Sequence, residues 1–68
     1  MEKNGLILLH RKSDGNQVLI QLVNVVVISS KWDDDGSEYS EIYLIDKRVD
    51  VVEMIYDIRE LIDRGEIL

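Results

Sequence analysis

Residues 50–65, DVVEMIYDIRELIDRG, decide the fold, because they are the one stretch of this 68-residue chain that reads as a helix. Asp50 has the short acceptor side chain that satisfies free backbone N–H groups at a helix start. Glu53, three residues on, completes the spacing of a capping box, and Gly65 is a natural terminator. Val51, Ile55, Ile58 and Ile62 recur at helical spacing, and Val52, Met54 and Leu61 widen the stripe. Arg59 with Asp63 and Glu60 with Arg64 stand four apart, where opposite charges meet on a helix surface. The spacing predicts a helix over Val51–Arg64 with one apolar face packed on a sheet.

Everything before it reads as strand. Tyr39 to Lys47 alternates, with Ile42 and Leu44 on one face and Tyr43 and Ile45 on the other. Asp33-Asp34-Asp35-Gly36-Ser37 is a turn, and Val25 to Trp32 is a run rich in β-branched residues. The alternation slips at Leu22-Val23-Asn24, which predicts a break at Asn24 between Val25–Trp32 and a short strand over Gln17–Gln21. Ser13-Asp14-Gly15-Asn16 is a second strong turn, preceded by a strand over Gly5–Arg11 whose run Leu6 to Leu9 implies cover on both faces. The fold class is therefore α+β: one domain, residues 1–68, with a small antiparallel sheet of three to four strands followed by one C-terminal amphipathic helix. A single helix covers one sheet face. The other, bearing Tyr43 and Ile45, is expected to mediate self-association, with a dimer favoured.

A chain this short buries only roughly 60% of the surface its unfolded form exposes, so its stability is marginal. It has no cysteine, which rules out disulfides and fits a reducing, cytoplasmic setting. Its longest apolar stretch, Val18 to Ile28, is broken by Gln21 and Asn24 and falls short of the ~20 residues a membrane helix needs. The first nine residues lack the cleavage site of a signal peptide. With 14 acids against 8 bases the net charge is −6, which argues against direct binding of nucleic acid. Asp33, Asp34, Asp35, Glu38, Glu41 and Asp46 follow one another with no intervening base, so one end of the molecule is strongly negative.

Catalysis has little to stand on. The triad-like residue types His10, Ser13 and Asp14 are neighbours along a hairpin, and such neighbours point to different faces. The Asp33–Asp35 run invites hard cations, but an EF-hand begun at Asp33 needs glycine where Glu38 stands and glutamate where Leu44 stands. The four glycines are scattered and make no phosphate-binding loop. No catalytic residue, no metal and no cofactor are expected. Trp32 and Tyr39 flank the acidic turn, and two readings stay open: they cap the end of the core, or they form an aromatic anchor beside a negative patch. On the second reading Trp32, Asp33, Asp34, Asp35, Glu38 and Tyr39 bind a basic protein partner.

The order of features, with Leu6 to Leu9 before a turn, Val18-Leu19-Ile20-Gln21-Leu22 leading to Asn24-Val25-Val26, then Ile42-Tyr43-Leu44, then Val51-Val52-Glu53-Met54-Ile55, resembles the small flagellum-associated FlbD-like proteins. The likeness spans Leu6 to Ile62 and departs from that pattern at Asp46-Lys47-Arg48, where a glycine-bearing turn is expected. It also departs at the longer acidic segment Asp33 to Tyr39. It implies an accessory or regulatory role in the cytoplasm and no catalytic residues. The leading functional expectation is a non-enzymatic, self-associating interaction module. The alternative is an acidic, phage-encoded inhibitor in which Asp33, Asp34, Asp35, Glu38 and Glu41 mimic nucleic-acid phosphates and occupy a basic groove on an enzyme.

Overall fold

A computed structural model describes residues 5–64. The elements are β1 (Leu6–His10), β2 (Gln17–Gln21), a 3-10 turn (Leu22–Asn24), β3 (Val25–Trp32), β4 (Glu38–Leu44), β5 (Arg48–Val51) and α1 (Ile55–Asp63). β1 and β2 form one antiparallel pair, and β3, β4 and β5 form a three-stranded antiparallel sheet in that order. The α+β class holds, with five strands in two sheets where three to four in one sheet were expected. The two sheets meet where Arg11 bridges Val51. There the Lys12 N–H donates to the Asp50 carbonyl at 2.8 Å and the Val52 N–H to the His10 carbonyl at 2.9 Å.

The additional strand, β5, lies where the sequence suggested the start of the helix. Val51 is fully buried as a strand residue, and α1 begins only at Ile55, with Met54 as an N-cap that makes no side-chain hydrogen bond. Asp50 caps nothing. Glu53 instead reaches back 43 positions, accepting the His10 backbone N–H at 2.9 Å and meeting His10 Nδ1 at 2.6 Å. The physical reason is backbone satisfaction. Arg48–Val51 has a partner on each side, β4 and residues 10–12, and that outweighs one extra turn of helix whose face would be no better buried. Gly65, read as the helix terminator, lies outside the described residues.

Turn chemistry behaves as the sequence indicates. Asp14 Oδ1 accepts the Asn16 N–H at 3.0 Å and Asp35 Oδ1 accepts the Ser37 N–H at 2.9 Å, while Gly15 and Gly36 take φ of +74° and +87°, where a side chain is strained. The 3-10 turn falls where the alternation slips. The core is Ile7 and Leu9 of β1, Ile20 of β2, Ile42 of β4, Val51 of β5 and Ile58 of α1. β1 is covered on one face only: Leu8 and its cross-strand partner Leu19 point outward, the latter 54% exposed.

Candidate functional site

β4 divides the molecule into two chemistries. Ser40 and Ile42 face inward and are buried, while Tyr39, Glu41 and Tyr43 face outward. Among the described residues no helix covers the outer side; charged side chains do. Glu41, only 8% exposed, accepts the Tyr43 hydroxyl at 2.8 Å, and its carboxylate lies 3.6 Å from Arg48 and 3.9 Å from Lys31. Hydrogen bonding with Tyr43, aided by Asp50 and Glu41, raises the Arg48 guanidinium above its ordinary value. Tyr43 is thus tied into this belt. Ile45 lies one residue beyond β4 in a bend, 73% exposed, so the two residues expected to share a self-association face do not lie side by side on one strand.

The acidic turn joins β3 to β4 and is less free than its composition suggests. Lys12, from the β1–β2 hairpin, reaches Asp33 at 2.9 Å and stands 4.7 Å over the Tyr39 ring, and the hydrogen bond it donates to Asp33 raises the lysine above its ordinary value. Asp34, Asp35 and Glu38 make no ion pair among the described residues. The backbone N–H of Ser37 holds the Asp35 carboxyl below its usual range. Trp32 faces Glu38 across the strand pair, and Lys31 faces Tyr39, so Trp32 and Tyr39 lie on opposite faces of the hairpin. They do not form one aromatic pair. Tyr39 packs under Lys12, whereas Trp32 is 62% exposed at the end of the inner face.

β3 has β4 on one side and, among the described residues, no strand on the other. The Leu44 N–H donates to the Lys47 carbonyl, so in β4 the even-numbered residues bond toward β5 and the odd-numbered ones toward β3. By the same alternation Val27, Ser29 and Lys31 bond to β4. The backbone N–H and C=O groups of Ile28, Ser30 and Trp32 then face the free edge. Beside that edge, between β3 and α1, runs an apolar groove of about 290 Å³ lined by Ile28, Ile55, Ile58 and Ile62 and rimmed by Arg59 and Asp63. Val26, Val27 and Trp32 are exposed along the strand, and Lys31 is its only charge. Sequence reading did not single out Ile28 or Ser30 and named Arg59 only as the ion-pair partner of Asp63. The signal available to it was the run Val25–Trp32, an eight-residue strand with one charge, which lacks the short length and charges that blunt a natural edge.

No family model, curated protein or solved structure matches the chain. What the chain does must therefore be argued from its own surfaces. The resemblance to FlbD-like proteins rests on the residues quoted for it alone.

The remaining candidates carry less. A cleft of about 840 Å³ between the β1–β2 and β4–β5 hairpins has an apolar floor including Val18, Ile20 and Val49 and a rim with Arg11, Lys12, Lys47 and Arg48. Three of those cations are held within the chain: Arg11 by Asp14 at 3.3 Å, Lys12 by Asp33, and Arg48 by Asp50 at 3.7 Å. His10, Ser13 and Asp14 do not converge, since His10 pairs with Glu53 while Asp14 holds Arg11 and Asn16. Among the described residues no three His, Cys, Asp or Glu side chains are grouped to hold a metal ion, and no helix is long and apolar enough to cross a membrane.

Proposed function

We propose that this chain is a non-enzymatic protein-interaction module that self-associates and serves an accessory or regulatory role in the cytoplasm. The observation that carries the reading is the free edge of β3, whose row of backbone groups at Ile28, Ser30 and Trp32 ends in an exposed tryptophan beside the acidic turn. A long edge strand with exposed apolar side chains is a template for pairing with another chain, and a tryptophan at such an edge is the residue type that dominates interface energetics. We assign self-association to this edge rather than to Tyr43 and Ile45, because the Tyr43 hydroxyl is held by Glu41 and Ile45 sits in the bend after β4.

Asp34, Asp35 and Glu38, which make no ion pair among the described residues, are offered to a basic protein partner, which the charge would attract from a distance. Phosphate mimicry has less support. Two of its five carboxylates, Asp33 and Glu41, are already engaged by Lys12 and by Lys31 and Arg48. Solution mass by light scattering across a concentration series tests the reading. A monomer-to-dimer rise that Tyr43→Asp with Ile45→Lys leaves in place is expected, and a monomer at every concentration would overturn self-association.

A further inference from the structure

We infer that two copies of this chain join by pairing their β3 strands antiparallel about Ser30, each inserting Trp32 into the apolar groove between Ile28 and α1 of the other. This rests on the self-association reading above and specifies its register and its anchor. The argument begins with symmetry. A closed dimer is isologous, so whatever a strand offers at one distance from the twofold axis must fit what it offers at the same distance on the other side. Trp32 and Ile28 stand two residues either side of Ser30, on the same inner face of the same strand. With Ser30 opposite Ser30 of the second copy, Trp32 of each chain comes opposite Ile28 of the other. All three facing pairs use the backbone groups that β4 leaves free, so they exchange hydrogen bonds as one continuous antiparallel ladder.

The side chains agree with that register. Trp32 is an exposed inner-face residue lying past the end of its own core, and the groove at Ile28, Ile55, Ile58 and Ile62 is an apolar surface beside the edge that no described residue fills. Arg59, which pairs with Asp63 at 3.6 Å, stands at the rim of the groove, where a guanidinium meets the face of an incoming indole. On the outer face Lys31 comes opposite Ser29 and meets no like charge. Asp33, just past the end of β3, comes beside Val27, so the two acidic turns lie at opposite ends of the joined sheet and stay apart. A shift of register by two residues either way would carry Trp32 off the groove, and a shift by one would place it on the wrong face.

The chain has no cysteine, so single cysteines report the register cleanly. Facing residues of an antiparallel pair have Cα atoms about 4.5–5.5 Å apart, within the span of a disulfide. Under mild oxidation Ser30→Cys is expected to form a disulfide-linked dimer with itself. Ser29→Cys mixed with Lys31→Cys is expected to form the mixed disulfide in preference to either homodimer. Trp32→Ala is expected to weaken the dimer at least tenfold, with an unchanged circular dichroism spectrum. A dimeric mass without these cross-links would overturn the register and leave self-association standing, and a monomeric mass would overturn both. A Trp32→Ala variant that dimerises as tightly as the unchanged protein would overturn the insertion into the groove.

Discussion

The β1–β2 and β3–β4 hairpins are built by the same turn chemistry and put to different uses. Each turn has an aspartate accepting the N–H two residues on and a glycine at positive φ. The first hairpin has five-residue strands, its turn holds Arg11 and Lys12 against acids, and its outer strand is bounded by two glutamines. The second has strands of eight and seven residues, an excess of acid at its tip, and an edge that exposes Val26, Val27 and Trp32. Turn residues determine that a hairpin forms. The length and side chains of its edge determine whether it stays alone.

The largest effects should come from what the hairpins share, the core. Leu9→Ala in the first and Ile42→Ala in the second each remove a fully buried side chain and should cost ~2–5 kcal/mol in urea unfolding, enough to leave much of so small a domain unfolded. Trp32→Ala, measured where the protein is monomeric, should stay within ~0.5 kcal/mol of the unchanged chain. A loss as large as that of Leu9→Ala would mean that Trp32 caps its own core, and the contrast between the hairpins would collapse.

Next in size is the charged cover of β4. Glu41→Gln keeps the shape but removes the charge that Lys31 and Arg48 surround, and should cost ~1–2 kcal/mol, less at high salt. A change of zero would mean that the outer face gains nothing from its belt. Gly15→Ala and Gly36→Ala should each cost about 1 kcal/mol, because both glycines occupy the left-handed region with open space around them. Equal costs would sharpen the point that the turns are equivalent, and a cost at only one would break it.

The smallest effect is in pH. The backbone N–H of Asn16 holds the Asp14 carboxyl below its ordinary 3.8, as that of Ser37 does for Asp35. A carboxyl lowered in the folded state stabilises the fold above its unfolded value and loses that contribution as pH falls through its folded value. Thermal melts below about pH 4 should therefore fall less steeply with acidity in Asp14→Asn and in Asp35→Asn than in the unchanged protein. A steeper fall would reverse the sign of the argument.

Much of this fold can be read from the sequence. Both turns, the break at Asn24 and the strands on either side of it follow from glycine, aspartate and alternation. The misread segment is instructive: Asp50-Val51-Val52-Glu53 has the spacing of a helix start, while Arg48-Val49-Asp50-Val51 has the alternation of a strand, and local pattern favours neither. Contacts with residues 10–12 and with β4 decide between them, and the Glu53–His10 pair spans 43 positions of chain. The candidate site was half visible for the same reason. Trp32 and the acids announce themselves by type, but Lys12 reaching Asp33, and Ile28 lying beside α1, exist only once the hairpins are packed together.

The central claim is that the free edge of β3, with Trp32 at its end, is where two copies meet. Trp32 is the only tryptophan, so intrinsic emission reports on that edge alone. Recorded from dilute to concentrated protein, the emission maximum should move to shorter wavelength as the indole leaves water, with the same midpoint as the rise in mass. A mass that doubles while the emission stays that of an exposed indole would contradict the account.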